Sequence, residues 1–279
     1  MISFLKQISR RKTAIVGLTF LIAIIVVAIF APLLVPMDPT HQNIASRLMP
    51  PGWKNAEGIT HLLGTDQLGR DVFSRIIYGS RISIMVAIGA VVIGGTIGLI
   101  VGLVSGYSGG WIDSVLMRLV DMQLAFPFLL LALTMVAILG PSIMNVVLVL
   151  SITSWISYAK IVRSSVLSVK YLEYVEAAKA AGTSQIAILT RHILPNIISP
   201  FIVVASFQVA TLIIAESSLS FLGLGVPASQ PTWGSMLADG REYMTDAWWI
   251  AIYPGIMLML VAMSANLFGD GLRDALDPR

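Results

Sequence analysis

Along this chain, apolar runs of membrane-crossing length alternate with polar segments. The spans built on these runs cover about residues 14–37, 82–104, 118–139, 143–162, 197–217 and 247–269. Each is near the roughly 20 residues that a helix needs to cross the hydrocarbon core. The pattern predicts an all-α, polytopic membrane protein with six transmembrane helices, built as a single domain over residues 1–279. Pro127, Pro200 and Pro254 fall inside or near the ends of spans, where neighbouring helices accommodate the kink.

Six spans put both termini on one side, and the basic residues choose that side. Lys6, Arg10, Arg11 and Lys12 stand before the first run. A basic start followed by an apolar run resembles a secretory signal. A run covering 14–37 is too long for a signal core, so the expectation is an uncleaved first span with its N-terminus in the cytoplasm. In this topology twelve of the 18 lysines and arginines lie inside and six outside, the bias of the positive-inside rule. Trp248 and Trp249 open the last span, where amphipathic rings favour the headgroup level.

Composition narrows the function. The chain is 56% hydrophobic and 12% charged, about half the charged share of a soluble domain. A net charge of +3 does not imply a nucleic-acid partner; here the basic residues mark topology. The chain has no cysteine, which excludes disulfides and thiolate metal sites. It has no G-x-x-x-x-G-K-[ST] phosphate loop and no arginine-rich voltage-sensing helix. Uphill transport would draw its energy from another polypeptide or from an ion gradient.

The longest cytoplasmic excursion, about 164–196, holds the polar stretch Glu176-Ala177-Ala178-Lys179-Ala180-Ala181-Gly182-Thr183-Ser184 and onward to Asn196. Glu176 to Ala181 is alanine-rich and favours helix. Gly182 is the natural stop, because glycine accepts the left-handed conformation that follows many helix ends. Thr183 or Ser184 is suited to cap a second helix, and Pro195 is expected to end it. The prediction is a bent pair of short helices on the inner face.

Other features carry weaker chemistry. Gly94, Gly98, Gly102 and Gly106 recur every fourth residue, so one face of the second span admits close helix packing. That face suits packing within the chain, or against a sister subunit. Gly106-Tyr107-Ser108-Gly109-Gly110 matches the G-x-S-x-G hydrolase elbow. It lacks the strand before it that the elbow needs, and reads as turn punctuation. In the outer segment, His61 to Arg75 predicts an amphipathic surface helix capped by Thr65 or Asp66, with Asp66 and Arg70 paired four residues apart. Asp66, Arg70 and Asp71 are outer-face or translocation candidates there. His41 and His61 match no standard metal spacing. Charges near spans are costly unless paired or wet. Arg118 with Asp121, and Asp270 with Arg273, are spaced to pair locally. Glu216, directly after the uncharged run Ile197–Ala215 at the outer edge of the fifth span, has no obvious local partner and joins the translocation candidates.

Glu176-Ala177-Ala178, Gly182 and Ile193-Leu194-Pro195 closely resemble the cytoplasmic "EAA" loop of ABC importer permeases. The ending His192-Ile193-Leu194-Pro195-Asn196 resembles the dipeptide/oligopeptide/nickel branch in particular. So do His61–Arg81, the segment from Glu216 to Gly225 and the tail from Gly269 to Pro278. Together they resemble the second, or C-type, permease of that branch, over almost the whole chain.

The resemblance implies a type I ABC importer permease fold in a bacterial inner membrane, with both termini cytoplasmic. It implies that Glu176, Ala177, Ala178, Gly182, Ile193, Leu194 and Pro195 couple to an ATPase. The implied partners are a homologous sister permease, two ATPase subunits that bind ATP and magnesium, and an extracytoplasmic solute-binding protein; the chain itself needs no cofactor and performs no catalysis. The implied cargo is a dipeptide or oligopeptide, with nickel chelates, glutathione or another small solute as alternatives. From the residues alone, an ion-coupled secondary transporter is the competing class. It would show inverted repeats and buried ionisable groups at mid-membrane.

Overall fold

A computed structural model describes residues 12–55, 58–227 and 229–276. Lys6, Arg10 and Arg11 before the first span, and Asp277 to Arg279 at the tail, lie outside the described residues.

Apolar runs become long helices because, away from water, a helix satisfies its own backbone groups. Helix α1 is Lys12–Leu34, α2 Val72–Ser108, α3 Gly110–Leu124, α4 Phe128–Leu139 and α5 Ile143–Val169. The segment expected to face the cytoplasm, here called inner, holds α6, Glu173–Ala180, and the single turn α7, Gln185–Ala187. A π-helical turn, Ile188–Ile193, leads into α8, Leu194–Phe221. Helices α9, Trp233–Arg241, and α10, Trp249–Leu276, complete the chain. Among the described residues, five helices are long and apolar enough to cross a membrane, giving six spans when α3 and α4 count as one broken span. In the segment between α1 and α2, expected to face outward and here called outer, a short hairpin pairs Trp53–Lys54 with Thr60–His61.

The third span departs from expectation. Instead of one helix over 118–139, α3 and α4 meet at an 86° bend. Pro127 has no N–H to donate, and its ring disfavours helical geometry at Phe126. Helix α4 restarts with Leu131 N donating to Pro127 O at 3.0 Å.

The bundle is organised on the α2–α5 packing. The glycine stripe makes that approach close. A Cβ built on Gly94 would stand 2.5 Å from Ser154 Oγ, on Gly102 2.7 Å from Ala159 O, and on Gly106 2.8 Å from Val166 Cβ; on Gly98 it would collide with Trp155 O. The stripe therefore packs within the chain. Helices α1 and α8 flank α10 and α2, around a core that includes Val86, Ala87, Val146, Leu150, Leu212 and Leu219.

Candidate functional site: the segment before α8 and the buried ion-pair cluster

The inner segment has a buried underside and an exposed top. Val175 on α6, Ile188 and Ile193 on the π turn, and Ile197 on α8 are buried against Val162 and Val166 of α5, with Leu103 and Tyr107 of α2 alongside. Lys179 lies 5.6 Å over the Tyr107 ring, a cation–π contact. The segment is thus tied to the inner ends of α2, α5 and α8 together.

Local sequence sets the bend. Thr183 N donates to Ala178 O at 3.1 Å and Gly182 N to Lys179 O at 3.0 Å. This is a Schellman motif with Gly182 at its left-handed position, at φ +76°. Ser184 then caps α7 by accepting from Ala187 N at 3.4 Å. Pro195 does not end the second helix as expected. It occupies the first turn of α8, where a missing N–H costs least. The π turn before it carries the chain onward without a break.

The segment's residues separate by exposure. Glu176, Ala177, Gly182 and Pro195 are exposed, Ala178 and Leu194 half-buried, and Ile193 fully buried. Ile193 therefore anchors the segment rather than presenting a surface. Two features are not apparent from the sequence pattern: Val175, the buried anchor of α6, and Ile186, an apolar side chain 76% exposed at the tip. Val175 stands within a largely polar stretch, and its being an isolated apolar residue there is its only signal.

The outer segment folds around charge. Asp66 is buried; its Oδ1 accepts from Leu68 N and Arg70 N, each at 2.9 Å, and its Oδ2 from Arg70 Nε at 2.6 Å. Arg75 Nε stands 3.4 Å from the same Oδ2. Both guanidiniums reach Asp239 of α9, at 3.1 and 3.4 Å. The Asp66–Arg70 pair forms as expected, but on a turn. The helix expected from His61 onward begins only at Val72, and its cap is Asp71, whose Oδ2 accepts from Ser74 N at 2.7 Å. Asp71 Oδ1 lies 2.9 Å from His61 Nδ1. Gly69, at φ +71° with Asn43 O pressed against it, closes the turn that keeps residues 66–70 out of helix.

This cluster ties α2 and α9 to the outer segment, so its charge balance carries stability. Asp66→Asn keeps the shape and removes the charge shared by two buried guanidiniums. Hydrogen bonds to charged groups contribute about 1.5–3 kcal/mol each. The variant is expected to lose about 2 kcal/mol, read as a lower thermal midpoint in detergent, with Arg81→Gln on the exposed side of α2 as the silent control.

Glu216 also lies elsewhere than expected. It falls inside α8, which runs on to Phe221, and it is fully buried. Its carboxyl accepts from Ser220 Oγ at 2.7 Å, one helical turn on, and from Ser83 Oγ of α2 at 3.0 Å. Glu216 thus has both a local partner and a distant one, and clasps α8 to α2. The expected Arg118–Asp121 and Asp270–Arg273 pairs do not form among the described residues. Asp113 instead takes Arg163 of α5 through two contacts of 2.6 Å.

Residues 94–279 match the family described as binding-protein-dependent transport system inner membrane component. Residues 2–51 match the N-terminal transmembrane domain of oligopeptide transport permease C. The dipeptide transport system permease protein DppC of Alkalihalophilus pseudofirmus is 44% identical over 98% of this chain and 88% of its own. The di/tripeptide transport system permease protein DppC of Pseudomonas aeruginosa is 41% identical over 99% and 91%. The glutathione transport system permease protein GsiD of Pectobacterium atrosepticum is also 41% identical, over 99% and 90%. Among solved structures, the inward-facing MetNI methionine ABC transporter superposes with a TM-score of 0.57 at 17% identity, covering 73% of this chain and 97% of that one. That likeness is one of fold, the type I ABC permease fold. The chain belongs to the family of binding-protein-dependent transport system inner membrane components, as a multi-pass permease subunit of an ABC importer.

Proposed function

We propose that this permease forms one half of the translocation pathway of an ATP-driven importer of dipeptides or short oligopeptides. In this reading it works with a sister permease, two ATPase subunits that bind and hydrolyse ATP with magnesium, and an extracytoplasmic binding protein. Both termini and the segment about 164–196 face the cytoplasm, and the whole chain acts as one permease domain. The carrying observation is the inner segment itself: an exposed, small-residue top on an underside packed against three spans. Such a segment suits a docking ATPase, because a push on it reaches α2, α5 and α8 at once. Glu176, Ala177, Ala178 and Gly182 form the surface offered, with Leu194 and Pro195 beside it and Ile193 as its buried support. The names of the relatives, dipeptide and di/tripeptide permeases among them, support the cargo. The glutathione relative keeps a second cargo in view.

The test is uptake by the complete transporter in proteoliposomes. A labelled dipeptide is expected to accumulate only with ATP on the ATPase side and the binding protein opposite, with glutathione as competitor. Uptake by this permease without ATPases, driven by an ion gradient, would sink the reading.

A further inference from the structure

Helix α3 has two polar faces, and among the described residues only one bonds to another helix. Asp113, Leu116, Val120 and Gln123 lie on one side of a 3.6-residue helix. That side meets α5: Asp113 holds Arg163, Val120 is fully buried, Gln123 Nε2 donates to Ile152 O at 2.6 Å, and Trp155 Nε1 donates to Gln123 Oε1 at 2.9 Å. Ser114, Arg118 and Asp121 follow the i, i+4, i+7 spacing of the opposite side. Arg118 and Asp121 are exposed, and neither makes an ion pair among the described residues.

The contacts with α5 fix the depth of this face. Ile152 lies nine residues into α5 from its outer start at Ile143. At 1.5 Å per residue that is about 14 Å, half of a hydrocarbon core of about 30 Å. Asp121 stands about 3 Å to the inner side of that level and Arg118 about 8 Å, by the same rise. Asp121 therefore sits near mid-membrane and Arg118 about halfway between that level and the inner boundary, and both unpaired charges point away from their own bundle. A charge at the centre of a span is costly in lipid even on the lenient scale. Lipid is therefore an unfavourable neighbour for this face.

We infer that Arg118 and Asp121 form a charge-complementary station on the translocation path, where Arg118 receives the carboxylate and Asp121 the ammonium of a zwitterionic solute in transit. The inference rests on the peptide reading above. Positions three apart on a helix hold their Cβ atoms about 5–6 Å from each other. A dipeptide spans at most about 7 Å, so both its ends reach a station of that size. The pair also explains the lack of an internal salt bridge: a closed Arg118–Asp121 pair would offer nothing to the solute. Weak, exchangeable contacts of this kind suit a path that must release what it holds.

The experiment uses the chain's lack of cysteine. Arg118→Cys, Asp121→Cys and the near-isosteric Ser114→Cys are placed one at a time in the complete transporter in proteoliposomes. Leu33→Cys, on an exposed apolar part of α1, is the lipid-facing control. Water-soluble methanethiosulfonates are expected to label all three α3 thiols and to spare the control. Transported dipeptide with binding protein is expected to slow that labelling about tenfold, the change that corresponds to about 1.4 kcal/mol. An anionic reagent is expected to restore uptake to Asp121→Cys and a cationic one to Arg118→Cys, with the opposite charges failing. Inert thiols in the assembled transporter would put the face in a subunit contact and overturn the station. Labelling without protection by dipeptide, in a wild-type background that transports it, overturns the station alone. A wild-type transporter that takes up no dipeptide sinks both the station and the peptide reading.

Discussion

Replacing Gly98 with valine is expected to leave no folded permease to purify. The glycine sits where α2 passes closest to α5. Its missing Cβ would collide with the carbonyl oxygen of Trp155 and stand 2.5 Å from Tyr158 Cβ and 3.0 Å from Ala159 N. Two of these neighbours are backbone atoms of a helix, so no rotamer change relieves the contact. The helices must separate, and separation opens the rows at Gly94, Gly102 and Gly106 as well, because all four glycines share the face. Overpacking a tight interior costs about 1–3 kcal/mol where side chains can yield; here they cannot, and the loss is expected to exceed that range. Gly98→Ala should be destabilising in the same sense and smaller. Gly255→Ala is the matched control, since its Cβ would meet only Leu237 Cδ2 at an ordinary 3.6 Å. The measurement is yield and monodispersity in detergent with thermal midpoints. A Gly98→Val protein as stable as wild type would show that the α2–α5 contact does not organise the bundle.

The same contact shows what a sequence can tell. A glycine every fourth residue is a periodic signal, so the tight face of α2 is legible from the chain alone. Its partner is not: nothing local in Gly94–Gly106 distinguishes α5 of the same chain from a helix of a sister subunit. Gly182 is legible for a similar reason, since a helix stop needs only its own neighbours. Features set by distant residues are harder to read. The spacing of Asp66 and Arg70 pairs them correctly, but Arg70 also reaches Asp239, 169 residues away. That long-range tie, with the turn closed at Gly69, outweighs the helical pattern of His61 to Arg75. Glu216 looks partnerless although Ser220 lies one turn ahead, because the apolar run of the fifth span stops short of the helix that carries both. The 86° break in the third span follows from Pro127, yet a proline gives the place of a break and not its angle. The same logic hides the two faces of α3: the Arg118–Asp121 spacing suggests a closed pair, and only the anchoring of Asp113 and Gln123 on α5 reveals that the charges face away.

Gly182→Val is expected to reduce ATP-driven uptake to background while leaving membrane insertion and pairing with the sister permease intact. The reasoning separates fold from coupling. At φ +76° a β-branched side chain is a conformational outlier. The strain is local, because no atom lies within 4 Å of the Cβ position. No core packing is lost, so the bundle stays folded. What changes is the path of the chain between α6 and α7. A backbone forced out of the left-handed region breaks the Schellman bonds from Gly182 N and Thr183 N, which cap the last turn of α6. The tip at Ser184 and Ile186 then swings away from the surface presented by Glu176, Ala177 and Ala178. A docked ATPase that grips both parts loses its register with α2, α5 and α8. Gly182→Asn is the discriminating companion, since asparagine tolerates the left-handed region. It should keep most of the uptake that valine removes, although its side chain is similar in size. The assay is peptide uptake with ATPase co-purification from the same membranes. Uptake near wild type in Gly182→Val would sink the coupling role of this bend. Equal failure of the asparagine variant would place the defect in the bulk of the side chain rather than in the backbone turn.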